Sequence, residues 1–143
     1  MSPLQIYFPC VALVALTAIV WVRLYIDRIG EMRARRIRPQ ALASSRETAR
    51  ALQQVRASDN FRNLFEVPVL FYVLCISLAV TQSVTPLYLW GAWVYVALRA
   101  AHSFIHLTYN RVMHRFVAYA LSTILVFSMW VGFGVHLFTK LQQ

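Results

Sequence analysis

The chain predicts an all-α, integral membrane four-helix bundle that forms one domain over its 143 residues. Three observations carry this. The composition is 59% hydrophobic and only 13% charged, whereas a soluble domain carries about a quarter charged residues. The apolar residues are gathered into four runs of about 20, the length that crosses a hydrocarbon core. The charge is gathered between the runs: nine arginines lie from Arg28 to Arg62, against Asp27, Glu31, Glu47 and Asp59.

That charge pattern also bounds function. A basic cluster with few aromatics among its charges, set beside membrane spans, reads as topology and contact with anionic lipids. It argues against nucleic acid as a partner. Cys10 and Cys75 both sit in apolar runs and suggest no disulfide framework.

The first span is 4–26. Nothing basic precedes it, so a retained helix is expected rather than a cleaved leader. Pro9 lies near its start, where proline is tolerated. Arg23 lies near its inner end, where a guanidinium can reach the headgroups. The polar connector 27–59 follows, divided by Pro39. Ser44 and Glu47 have the Ser-x-x-Glu spacing of a capping box, so a short helix is expected there, with Ala49, Ala51, Leu52 and Val55 as its apolar content.

The second span is 60–81, with Ser58 and Asp59 as candidate caps. Its first turns carry Asn60, Arg62, Asn63 and Glu66. Pro68 then removes the partner of the Leu64 carbonyl, which predicts a kink. A short uncharged turn leads to the third span, 87–107, with Trp90 and Trp93 at the interfacial belt. A short basic loop leads to the fourth span, 116–138, where Gly132 and Gly134 could allow close helix approach. The first and third connectors carry nearly all the positive charge outside the spans. The positive-inside rule places them in the cytoplasm and both termini outside.

The third span holds the residues that need explaining. Arg99, His102 and His106 lie three and seven positions apart, on one helical face. An ionisable group inside a span is a functional-site hypothesis by default. At 1.5 Å per residue, Arg99 stands roughly 12 Å from the end of its span, and His102 lies near the depth of Glu66. The second and third spans are antiparallel neighbours, so Glu66 is expected to pair with Arg99 or His102. Asn60, Asn63, His106, Tyr109 and Arg115 would line an inward-opening cavity suited to an anion. The same Arg–Glu pairing could instead be purely structural, holding helix register. Neither a metal site at His102 and His106 nor a haem is expected, since the partners that either needs are missing from the pattern.

The segments 56–72 (RASDNFRNLFEVPVLFY) and 99–115 (RAAHSFIHLTYNRVMHR) resemble the MAPEG family, membrane-associated proteins of eicosanoid and glutathione metabolism, of bacterial type. The resemblance runs from the first span to the last. It implies a homotrimer that binds glutathione, as substrate, between adjacent subunits near the cytoplasmic face. A bacterial member would sit in the cell inner membrane. Arg56 and Asn60 fit the family's spacing, which puts Asn63 where a Glu is usual. Alternatively, Asn63 and Glu66 supply the Asn-x-x-Glu pair. Arg99 and His102 match the third-span pattern, and His106 stands where a Tyr is common. By spacing, the arginine that stabilises the glutathione thiolate falls at Arg115, with Arg111 as the nearby competitor. The resemblance thus implies Arg115 as the catalytic residue. Arg56, Asn60, Asn63, Glu66, Arg99, His102, His106 and Arg111 are then the glutathione-binding set, without metal or haem.

Three functions follow as expectations. The first is glutathione transfer to, or glutathione-dependent reduction of, a lipophilic electrophile or hydroperoxide. The second is a non-catalytic scaffold or accessory subunit of a larger membrane complex. The third is a small transporter using Glu66.

Overall fold

Ser2 accepts a hydrogen bond from the Leu4 amide at 3.4 Å and opens a 3-10 turn, Pro3–Ile6, which runs directly into α1, Tyr7–Arg35. The computed structural model describes residues 2–44, 47–48, 52 and 55–142. Helix α1 outruns the predicted span by more than two turns. The sequence past the apolar run is rich in Arg, Glu, Met and Ala, all of which favour helix. The i, i+4 pairs Arg23–Asp27 (2.8 Å) and Glu31–Arg35 (2.7 Å) add to it. Part of the connector is therefore helix. α1 ends where Arg36 turns left-handed (φ 53°), and the amides of Ile37 and Arg36 bond back to the carbonyls of Met32 and Arg33. That is a Schellman closure with an arginine in the place glycine usually takes.

Pro39 begins a second 3-10 turn, Pro39–Leu42, as its fixed φ suits. Ser44 then caps a helical start: its Oγ accepts from the Glu47 amide at 3.2 Å and donates to Glu47 Oε2 at 2.8 Å. Glu47 and Thr48 are helical. Ala49 and Ala51, expected to continue that helix, lie outside the described residues, and Val55 is not helical.

The second predicted span is two helices, α2 (Arg56–Asn63) and α3 (Val67–Val80). Ser58 and Asp59 lie inside α2 rather than capping it, and Val55 precedes it with no side-chain cap. The kink expected at Pro68 is a full break across Leu64, Phe65 and Glu66. Pro68 has no amide to give Leu64, so α3 restarts with Val69 bonding to the Glu66 carbonyl at 3.2 Å. α4 (Pro86–Leu107) starts on a Thr85 cap, and α5 (Val112–Leu141) closes the chain.

α4 and α5 pack along each other, α1 lies against α2 and α4, and α3 lies against α5 and the first 3-10 turn. The upper half of the core joins Leu13 and Val20 of α1, Phe71, Leu74, Cys75 and Leu78 of α3, Ala92 and Tyr95 of α4, and Val126 of α5. Phe71 and Tyr95 stack at 4.4 Å and tie α3 to α4. Gly132 lets the Tyr88 hydroxyl approach to where a Cβ would stand at 3.2 Å, whereas Gly134 faces open space.

The outward faces are apolar: Ile19 on α1, Val80 on α3, and Ile124, Val131 and Phe138 on α5 are all exposed. Trp90 is 71% exposed, as a belt residue would be. Among the described residues, three helical units, 3–35, 56–80 and 112–141, are long and apolar enough to cross a membrane. α4 is not among them by composition, although its 22 residues measure about 33 Å at 1.5 Å per residue. Arg99, His102, Ser103 and His106 lower its hydropathy, and all four are buried in the bundle. The chain is an integral membrane protein whose α4 turns a polar stripe into the bundle.

Candidate functional site

The buried residues of α4 are Ala92, Tyr95, Val96, Arg99, His102, Ser103 and His106. Their three-and-four spacing makes one stripe, with the predicted Arg99–His102–His106 face at its polar end. Three elements converge on that end: α2 from one side, the start of α5 from another, and the 108–111 loop below.

Arg99 is fully buried and is the deepest member. Its Nη2 donates to the Asn63 carbonyl at 2.8 Å, and its guanidinium carbon lies 5.3 Å from the centre of the Tyr119 ring. The break at Leu64–Glu66 leaves the Asn63 carbonyl free to accept. A cation at a helix C-terminus also meets the negative end of the helix dipole. Arg99 thus closes α2, and the Tyr119 face supplies a cation–π contact.

The expected ion pair with Glu66 does not form. Glu66 is exposed at the helix break, and among the described residues the side-chain ion pairs are Arg23–Asp27 and Glu31–Arg35. Depth arithmetic put Glu66 near the level of His102, within reach of His102 or Arg99, by assuming a continuous helix. The break instead takes Glu66 to φ −94°, ψ −102°, outside helical register.

His102 and His106 are the same tautomer, each with its proton on Nδ1, but they present different nitrogens to Arg115. His102 Nδ1 faces the Arg115 carbonyl at 3.0 Å, an acceptor only, so that nitrogen carries the proton. His106 Nε2 faces Arg115 Nη1 at 2.7 Å, a donor only, so that nitrogen is bare and Nδ1 carries the proton. Both rings are neutral in this arrangement. They meet edge-on at 5.6 Å, and His102 also contacts Tyr119 at 5.7 Å.

Arg115 is half-buried near the start of α5. Its Nη1 also donates to Asn110 Oδ1 at 2.9 Å. Asn110 can reach because it sits in the left-handed region (φ 47°), which asparagine tolerates. Both N–H bonds of Nη1 are therefore committed, while Nε and Nη2 make no hydrogen bond among the described residues.

Asn60 is fully buried on α2, and its Oδ1 accepts from Ser103 Oγ at 3.2 Å. Arg56, one turn earlier and exposed, donates from Nη1 to the Thr108 carbonyl at 3.1 Å and closes the end of α4. Buried atoms without a partner cluster in this layer: Asn60 Nδ2, Arg99 Nε and Nη1, His102 Nε2, His106 Nδ1 and the Tyr95 hydroxyl. All but the His102 nitrogen and the hydroxyl are donors only, so the layer is rich in donors.

Of the residues predicted from the sequence, Arg56, Asn60, Arg99, His102, His106 and Arg115 come together. Asn63 takes part through its backbone carbonyl, with a half-exposed side chain. Glu66 does not join them. Arg111 is exposed and caps α5 through its carbonyl, which accepts from the Arg115 amide at 3.1 Å. Sequence reasoning missed Ser103, Asn110 and Tyr119. Ser103 lies on the same stripe, four residues past Arg99, and Tyr119 lies four past Arg115, so helical spacing would have found both.

The fold and this layer together define a helical integral membrane protein with a cationic, donor-rich site at one end of its bundle. The sequence pattern of the MAPEG family matches residues 6–135. The chain belongs to the MAPEG family. No curated protein and no solved structure shows a significant match to it.

Proposed function

We propose that the chain works as a homotrimer in a cell inner membrane, conjugating glutathione to a lipophilic electrophile or using it to reduce a lipid hydroperoxide. The observation that carries this reading is Arg115, clamped by His106 and Asn110 with its Nε and Nη2 donors uncommitted. A fixed cation beside a thiol stabilises the thiolate, which is the attacking nucleophile. Arg115 stays protonated at neutral pH, so its part is electrostatic rather than that of a base.

The rest of the layer fits the same ligand. Glutathione brings two carboxylates, an amine and a thiol. Arg56 and Arg111 stand exposed near the mouth to meet carboxylates, which guanidinium forks match well. Asn60 Nδ2 and His106 Nδ1 add neutral donors. His102 Nε2 is a bare acceptor for an amide or amine N–H. This reading uses the Arg56–Asn60–Asn63 register, since Glu66 lies outside the layer. The exposed apolar groove of Val14, Trp21, Phe61, Phe65 and Tyr72 supplies a face for a neighbouring copy or an apolar co-substrate.

Glutathione binding to detergent-purified protein, measured by calorimetry, tests the first step, and turnover with an aryl halide and a lipid hydroperoxide tests the second. Replacing Arg115 with Ala is expected to cost about a hundredfold in kcat/KM, as removal of one preorganised charge stabiliser does. No heat of binding at millimolar glutathione overturns the reading. A non-catalytic scaffold is the second reading, favoured by the Arg99 bond to Asn63 that closes a helix. Under it, Arg115→Ala lowers thermal stability while the wild type binds no glutathione.

A further inference from the structure

A polar-lined cavity lies on another face of α2 from the His–Arg layer. It measures about 350 Å³ and is bounded by α1, the connector and the outer face of α2. Arg28 and Arg62 give it two cations, and on its wall the Ser44 and Thr48 hydroxyls donate to Glu47 Oε2 and the Leu42 carbonyl. Leu24 and Leu52, both buried, form an apolar floor. Arg28 Nε is buried, with no hydrogen-bond partner among the described residues. Asp59 stands exposed at the rim, and among the described residues it makes no ion pair with either arginine.

We propose that this cavity binds the phosphate of an anionic phospholipid headgroup, with Arg28 as its principal ligand. This goes beyond the glutathione reading and does not depend on it, because none of these residues lies in the His102–His106–Arg115 layer. Arg28 and Arg62 make no ion pair among the described residues, so a phosphodiester is an anion that both can meet. A guanidinium fork with an unused buried N–H is a donor that phosphate oxygens take. Asp59 can accept from a headgroup hydroxyl.

The lipid source follows from position. The stretch of α1 that turns Leu24 and Arg28 into the cavity turns Tyr25, Ile26 and Ile29 outward, all exposed. The cavity therefore opens where the apolar belt of α1 ends, at headgroup depth. Its leucine floor suits the glycerol and upper acyl region better than water. Basic residues beside a membrane helix attract anionic lipid in any case, so the claim is one of site rather than of charge alone.

The test is native mass spectrometry of delipidated protein in detergent, titrated with phosphatidylglycerol, phosphatidylcholine and inorganic phosphate. The wild type is expected to hold one phosphatidylglycerol per chain in preference to phosphatidylcholine. Arg28→Gln is expected to weaken that binding about tenfold, the scale of one lost hydrogen bond to a charged group. Arg38→Gln, in the same connector but away from the cavity, leaves it unchanged. Ser44→Asp, which keeps a helix-capping residue and adds a negative charge at the rim, weakens binding in a chain whose folding is not at issue. Equal losses for Arg28→Gln and Arg38→Gln would mean diffuse attraction and overturn the site. Equal retention of phosphatidylcholine, or displacement of the lipid by inorganic phosphate, would overturn the anionic-lipid assignment.

Discussion

Arg99 is the residue on which structural and functional readings divide. It is a fully buried cation with one hydrogen bond, from Nη2 to the Asn63 carbonyl, and two unpartnered nitrogens. Its surroundings fix what replacement does. Met fills much of the same volume and removes a buried charge, which is often neutral or favourable. It also leaves the Asn63 carbonyl without its donor, a cost of about 1–3 kcal/mol. Arg99→Met is therefore expected to destabilise by about 1–2 kcal/mol. Arg99→Ala adds a cavity and is expected to cost about 3–5 kcal/mol. Thermal unfolding in detergent measures both. If the two variants lose the same amount, packing is not what the Arg99 side chain contributes. If Arg99→Met is more stable than the wild type, the bond to Asn63 contributes nothing net.

At the scale of elements, the sequence showed the stripe on α4 clearly, because a three-and-four period survives whatever packs against it. It showed a fault at Pro68 for the same reason: a missing amide is a local fact. It did not show how far the fault would reach. Whether a proline bends a helix or breaks it depends on what else can satisfy the freed carbonyls. Here Arg99, thirty-six residues away in the chain, donates to the Asn63 carbonyl, the neighbour of the Leu64 carbonyl that Pro68 leaves without an amide. Glu66 lies in the break itself, out of helical register, which is why its expected pairing fails. Ser44 and Glu47 were legible for the opposite reason, since a cap is made within a few residues.

The break is thus held from two sides, by an amide that Pro68 lacks and by a carbonyl that Arg99 occupies. Pro68→Ala alone is expected to leave α2 and α3 broken, because Asn63 remains bonded to Arg99. Pro68→Ala combined with Arg99→Met is expected to straighten 56–80 into one helix. Spin-label distances between α2 and α3 report this, and a stability cycle over the four variants should show a coupling of about 1 kcal/mol. Straightening in Pro68→Ala alone would show that Arg99 does not maintain the break.

For the whole molecule, the two basic connectors lie at one end. The Arg56 bond to Thr108 joins the connector before α2 to the loop after α4. The uncharged turn after α3 lies at the other end, where Lys140 reaches the Thr81 carbonyl at 3.4 Å. The arginines of the connector, with Arg111 and Arg115, face a lone Lys140 across the bundle. Basic residues near an anionic cytoplasmic surface are each worth about 1 kcal/mol. The reverse orientation gives up that attraction for most of the arginines at once, whereas only Lys140 would gain it. The connector end is therefore expected in the cytoplasm. Ser44→Cys and Gln142→Cys mark the two ends, and neither native thiol is fully exposed, Cys75 being buried and Cys10 half-buried. With a membrane-impermeant maleimide, Gln142→Cys should label in intact cells and Ser44→Cys only in inverted vesicles. The opposite pattern would put the Arg115 mouth outside, away from cytoplasmic glutathione, and would overturn the glutathione reading together with the topology.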